Sequence, residues 1–405
     1  MAADHPLLRD LEGPQEKPVG FVELFYDLVF VFAVTQVAHY LLEHLDPVGI
    51  ARTMILFMAI WWSWINATWV TNWLDVERAP VRLLLFFMMG VGLVQAATIP
   101  QAFEGEAPIF AVCYVTIAVV RTGFTLWALT RVPDHSNRRS YMRLAAWTGF
   151  ALPLWIAGAF LPAEARLIAW GAAIVVEFAG PLLGFPTPWL GRGSADEWDI
   201  SGTHLSERCA LFIIIALGES IIVIGRAYAD VGDSPATLAA AGTAFVGSAL
   251  LWWIYFDVGA KRAAKRIEEA DNPGWLARTA YTYLHIPIVG GLIAIAAADE
   301  KTVSDPLAAA DAKFMGVVAA GTILFLVGNM LFKGTTAANG QLPRSHMVGI
   351  GLGVALFAFA EGLPRLAVNA GAVAILLVVG VLERVLKSEP TPDEDDPNVV
   401  VEVEG

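Results

Sequence analysis

Charge is scarce in this chain. Asp, Glu, Lys and Arg make up 16% of its 405 residues against 57% hydrophobic ones, and the mean hydropathy is +0.60. So little charge does not cover the surface of a water-soluble protein of this length, which excludes a soluble globular domain. Cysteine is nearly missing: Cys113 and Cys209 both fall within apolar runs and read as small packing residues. Neither a Cys-x-x-Cys nor a His-Glu-x-x-His pattern is present, and the seven histidines are scattered, so no metal site is expected. No basic stripe with interleaved aromatics occurs, which argues against a nucleic-acid partner. Every lysine, from Lys17 to Lys387, stands at or beyond the end of an apolar run. A retinal Schiff base is thereby set aside, and no cofactor is expected.

Long apolar runs fill most of the chain. About twelve segments approach the roughly 20 residues that cross a hydrocarbon core. They cover 22–42, 49–72, 79–100, 108–131, 140–161, 164–186, 205–228, 236–258, 277–298, 310–333, 345–362 and 366–387. The expected fold class is all-α, a polytopic integral membrane helical bundle with the lipid bilayer as its solvent. The first run is longer than a signal-peptide core and lacks a small-residue cleavage site, so it reads as an uncleaved signal anchor. Lys and Arg concentrate on one side of this arrangement, notably Arg131, Arg138, Arg139 and Arg143, then Lys261, Arg262, Lys265 and Arg266. Basic loops stay in the cytoplasm, so both termini are expected there. The net charge of -13 owes much to a Pro-containing acidic end, 389–405, which reads as a disordered cytoplasmic tail.

The two halves share a pattern. Glu23 aligns with Glu207, Trp61-Trp62 with Trp252-Trp253, Arg139-Ser140-Tyr141-Met142 with Arg344-Ser345-His346-Met347, and Leu161-Pro162 with Leu363-Pro364. The expected organisation is a cytoplasmic segment 1–20, a first six-helix repeat 21–187, a cytoplasmic linker 188–204 and a second repeat 205–388 ahead of the tail. An even number of spans per copy makes the repeats parallel. The symmetry breaks where Thr35 in the first copy faces Glu219 in the second.

Several motifs carry a family likeness: Val22-Glu23-Leu24-Phe25-Tyr26-Asp27-Leu28-Val29-Phe30, His204 through Glu207-Arg208, Leu217-Gly218-Glu219-Ser220, and Tyr281-Thr282-Tyr283-Leu284-His285-Ile286-Pro287. Together they resemble the bacterial low temperature requirement protein A family over nearly the whole chain, from about Gly20 to Lys387. Cys209-Ala210 replaces an aromatic and a glycine in that pattern. The resemblance implies a multi-pass protein of the bacterial inner membrane, named for growth in the cold, and implies no settled activity.

Charges inside apolar runs are the candidates for chemistry, because an ionised side chain at mid-bilayer costs about 2.5–3.5 kcal/mol on insertion scales. Glu23 and Asp27 lie four residues apart, on one face near the start of their helix. Glu207 and Arg208 occupy the same level in the seventh run, with Asp257 and Arg278 at the ends of the next two. These six form either a cytoplasmic gate or a structural set of ion pairs and helix-end charges. Glu219 lies about 18 Å deeper than Glu207. Arg121 and Glu177 stand near the middle of their runs and are natural partners if those helices touch. His285, two residues before Pro287, is either part of a wet site or a satisfied core histidine. Trp61, Trp62, Trp64, Trp69 and Trp73 read as lipid packing and interfacial belt.

Two function classes follow. A secondary transporter of a small solute or ion, proton-coupled carriers included, would place substrate or proton at Glu219, Arg121, Glu177 and His285. The alternative is a membrane-embedded enzyme acting on lipid, or a sensor of envelope and cold stress; the scattered histidines display no nucleophile–base pair for it.

Overall fold

The computed structural model describes residues 7–9, 19–132, 137–194, 197, 198, 200–232, 234–257, 266, 267, 270, 272–337 and 339–387. The acidic tail 389–405, most of segment 1–20, and Lys261, Arg262 and Lys265 lie outside them. The described chain forms α1 (Phe21–Glu43), α2 (Pro47–Trp73), α3 (Ala79–Ala97), α4 (Ala107–Thr130), α5 (Asn137–Ala159) and α6 (Ala163–Leu183). After the linker come α7 (Gly202–Val231), α8 (Pro235–Phe256), α9 (Pro273–Ser304), α10 (Ala312–Thr336), α11 (Arg344–Phe359) and α12 (Arg365–Lys387). Ten of them are long and apolar enough to cross a membrane; α5 and the shorter α11 fall outside that group.

Local chemistry sets the boundaries. Asp46, Ser234 and Asn272 each accept backbone N–H bonds at the start of a helix whose next residue is proline, and Ser201 and Asp311 cap α7 and α10. Asp46 lies outside the spans, and the N–H groups of Gly49 and Val48 hold its carboxyl below the usual range. Gly184 ends α6 with φ +69°, a left-handed conformation that needs no Cβ.

Each half packs its helices in the same order of neighbours. In the first, α1 touches α2 and α3, α3 touches α4, α4 touches α5, α5 touches α6, and α6 returns to α2. The second repeats this with α7 against α8 and α9, α9 against α10, α10 against α11, α11 against α12, and α12 back on α8. The halves meet where α1 packs on α7 and α9. α9 and α10 pack closely: a Cβ on Gly291 would lie 2.6 Å from the Phe325 nitrogen and one on Gly328 would lie 2.8 Å from the Ile288 nitrogen. Small residues are what allow helix backbones to approach so closely.

The tryptophans of α2 do not form a lipid belt. Trp61, Trp64 and Trp73 are almost wholly buried, with Trp61 and Trp64 packed on Phe212 of α7. Their indole N–H groups need acceptors when buried, and the structure supplies them: Thr282 for Trp61 and Asp27 for Trp64.

Candidate functional site

Two constellations and a cleft hold most of the charges singled out above. The first constellation joins the starts of α1 and α7, at the end of the molecule we call the N-face. Arg208 donates to Glu23 at 3.0 Å and to Asp27 at 2.6 Å, and its guanidinium lies over the Trp64 ring. Trp64 donates to the same Asp27 oxygen at 2.9 Å. Glu23 also takes the Gly20 N–H at 2.8 Å, Arg9 at 3.2 Å and His204 at 2.9 Å. The His204 tautomer follows from its surroundings. Asn72 exchanges two hydrogen bonds with the Ser201 backbone, which fixes its amide so that the NH2 group points at His204 Nδ1. Nδ1 therefore accepts, and Nε2–H donates to Glu23. All of Glu23, Asp27, His204 and Arg208 are at most 1% exposed. Glu207 stands apart from this set, half-buried, and accepts the Val19 N–H at 3.2 Å. Glu23 and Glu207 thus accept from adjacent amides, Gly20 and Val19.

Asp257 and Arg278 do not join this group either. Asp257 is exposed and lies 3.8 Å from Arg384, while Arg278 donates to the Pro181 carbonyl at 2.6 Å. Glu219 is buried between α7 and α1 beside Thr35, with His39, Arg226 and Glu300 as its charged surroundings. Its Oε1 has no hydrogen-bond partner, and the Thr35 hydroxyl is spent on the Val31 carbonyl. This second constellation sits well away from the N-face, and His39 lies 3.3 Å from Glu300 across α1 and α9. His285 is satisfied on both nitrogens. Its Nδ1 faces the Ala280 carbonyl at 2.8 Å and so carries the proton, which leaves Nε2 to accept from the Tyr255 hydroxyl at 2.7 Å. The core reading of this histidine fits that geometry.

The cleft was not visible in sequence. It measures ≈ 70 Å³ and lies between α2, α5, α6, the linker and the start of α9. Trp62, Trp69 and Trp73 of α2, Tyr141 and Trp147 of α5, Phe185 and Trp198 give it aromatic walls. Arg143 secures the linker over it, donating to the Leu190 carbonyl through Nε at 3.0 Å and Nη2 at 2.9 Å and to Glu197 at 2.5 Å. Ser140 donates to the same carboxylate. Burial works against ionisation of Glu197, but the Ser140 hydroxyl and the Arg143 guanidinium outweigh it and hold this carboxyl below its usual range.

Glu177 lines the cleft about 9 Å inside the end of α6, six residues before Leu183. It is 6% exposed, and its Oε2 accepts from the Tyr114 hydroxyl at 2.6 Å and the Trp155 indole at 3.3 Å. Arg121 interacts electrostatically with Glu177, Tyr114 and Tyr26 but makes no ion pair with Glu177 among the described residues. Arg278 lines the same cleft from α9. Residues Arg278–Tyr283 are π-helical, a widening that recurs at functional sites. Here the widened turn and Pro287 release carbonyls that side chains take up: Ala280 by His285 and Thr282 by Trp61. Arg278 keeps a buried Nε with no partner.

Among the described residues, ten helices long and apolar enough to span a bilayer, with buried charges and an internal cleft, define a multi-pass helical membrane protein. Residues 18–381 match the family described as bacterial low temperature requirement A protein (LtrA), and the chain belongs to that family. It is also 38% identical over 386 residues to "Uncharacterized protein RA0937" of Rhizobium meliloti (strain 1021), covering 95% of this chain and 93% of that protein.

Proposed function

We propose that this protein is a secondary transporter that binds a small organic solute of mixed charge in the α2/α5/α6/α9 cleft. One observation carries the reading: Glu177 and Arg278, of opposite charge, line one aromatic cleft without pairing with each other. Unpaired opposite charges inside a low-dielectric wall are costly unless something bridges them, and a zwitterion does so. Its cationic group would sit against Glu177 and the indole faces, its anionic group on Arg278. In this reading the N-face is cytoplasmic, in keeping with the basic loops, and the membrane is the bacterial inner one. The shared neighbour order of the two halves supports duplication, the usual ground plan of carriers with a central site. Glu219, buried with an unpaired oxygen beside His39 and Glu300, is the proposed proton-coupling residue.

The test is uptake of radiolabelled amino acids and trimethylglycine into proteoliposomes under an imposed pH gradient. Wild type is expected to accumulate at least one of them, with Glu177→Gln and Arg278→Gln each at least tenfold slower. No uptake by wild type, or both variants at the wild-type rate, contradicts the assignment.

A further inference from the structure

A second, much smaller cavity lies in the other half of the molecule. It measures ≈ 10 Å³ and is enclosed by α8, α9, α10 and α12. Asp299 of α9 lines it and is 1% exposed. Its Oδ1 accepts from the Asn369 amide at 2.7 Å, whereas Oδ2 is buried with no hydrogen-bond partner. Among the described residues no Arg, Lys or His forms an ion pair with it, in contrast to Glu23, Asp27 and Glu383, each of which has a cation. A lone buried carboxylate of this kind needs a positive charge or a proton.

The polar atoms around it are of one sort. Asn369 spends its NH2 group on Asp299 and on Thr302 Oγ1 at 3.3 Å, so its remaining amide atom is an acceptor oxygen. Thr302 and Thr322 donate their hydroxyl protons to the Ala298 and Val318 carbonyls at 2.7 and 2.9 Å, leaving lone pairs only. Thr322 and Asn369 line the cavity with Asp299. A space bounded by a carboxylate, a hydroxyl and an amide, all with only acceptors to offer, repels anions and attracts a hard cation. Its volume is that of about one water molecule, which suits a dehydrated monovalent ion and no larger group. The site lies about 39 Å along α9 from Pro273, far from the N-face and from the cleft.

We infer that Asp299, Thr322 and Asn369 form a sodium-binding site in the second half of the molecule. This is independent of the solute assigned to the cleft, although bound sodium would supply a coupling ion to that transporter. The experiment uses full-length protein in detergent, with sodium-22 binding by scintillation proximity and thermal unfolding in NaCl against choline chloride at constant ionic strength. Wild type is expected to bind sodium saturably and to unfold several degrees higher in NaCl, since a ligand specific to the folded state raises Tm. Asp299→Asn is expected to lose both effects. Thr322→Val, which keeps the shape, is expected to weaken binding at least tenfold. Glu177→Gln in the cleft is expected to bind sodium as wild type does, which separates failure of this site from failure of the transport reading. Absence of saturable sodium binding by wild type overturns the inference, as does an undiminished sodium affinity in both Asp299→Asn and Thr322→Val.

Discussion

Arg208 holds two carboxylates together inside the protein, and its substitution has a calculable consequence. Arg208→Met removes the cation and leaves Glu23 and Asp27 buried beside each other, a change that costs about 3–5 kcal/mol when a buried pair loses one partner. Thermal unfolding should show a marked loss for this variant and a substantial recovery when Glu23→Gln and Asp27→Asn are added; equal stability of Arg208→Met and wild type would speak against the network. The sequence already placed Glu23 and Asp27 on one face and at the level of Arg208. It left Glu207 and Arg208 equivalent, because adjacent residues on a helix differ by about 100° in direction and only packing decides which points inward. His204 carried a readable signal, one turn before Arg208 and so on its face. Asp299 was passed over because it stood beyond the expected end of its run at 298, whereas α9 continues to Ser304.

At the scale of elements, the twelve expected runs agree with the observed helices to within about four residues at every end but one, the C-terminus of α9, which runs six residues past the expected 298 to Ser304. The Asp46-Pro47, Ser234-Pro235 and Asn272-Pro273 pairs explain why, since each places a capping acceptor before a residue that has no N–H to satisfy. The π-helical turn at Arg278–Tyr283 left no such mark, because its released carbonyls are taken up by side chains more than one turn away or on another helix. The glycine seam between α9 and α10 yields a second expectation. Gly328→Val should force these helices apart, at a cost of about 1–3 kcal/mol typical of overpacking, read as a lower Tm in detergent. A wild-type Tm would show that the seam tolerates bulk. The linker adds a pH dependence. Glu197 titrates below its unfolded value of about 4.3, so its contribution to holding the linker is complete above that pH and fades as pH falls through the folded value. Trp147 and Trp198 flank this linker, and their fluorescence should change in acid for wild type and not for Glu197→Gln. An identical acid response in the two would place the transition elsewhere.

For the whole molecule, the sequence indicated a bilayer-embedded bundle, and the described chain has ten helices long and apolar enough to form one; the proposed duplication accords with the order of neighbours in the two halves. Residues aligned by the proposed duplication nonetheless meet different surroundings. Trp61 and Trp62 are buried, whereas Trp252 and Trp253 are 48% and 39% exposed, with Arg384 over the Trp253 ring. The cleft was illegible for the same reason. It draws on α2, α5, α6, the linker and α9, and residues so far apart in sequence reveal nothing of their adjacency through hydrophobic period. Glu177 was recognised by depth alone, while the aromatic walls around it resembled lipid-facing belts.

A cleft that takes solute from the N-face, as proposed, must also admit water there, and thiol labelling reads that access. In protein with Cys113→Ala and Cys209→Ala, single variants Asn66→Cys and Thr148→Cys place a thiol on the cleft wall, and Ile168→Cys places one on the lipid-facing side of α6, where Ile168 is 75% exposed. A membrane-impermeant maleimide applied to the N-face of sealed vesicles should modify the two cleft positions and leave Ile168→Cys untouched. Failure to label either cleft cysteine from that face, with the protein folded, would rule out solute entry to the cleft from the N-face.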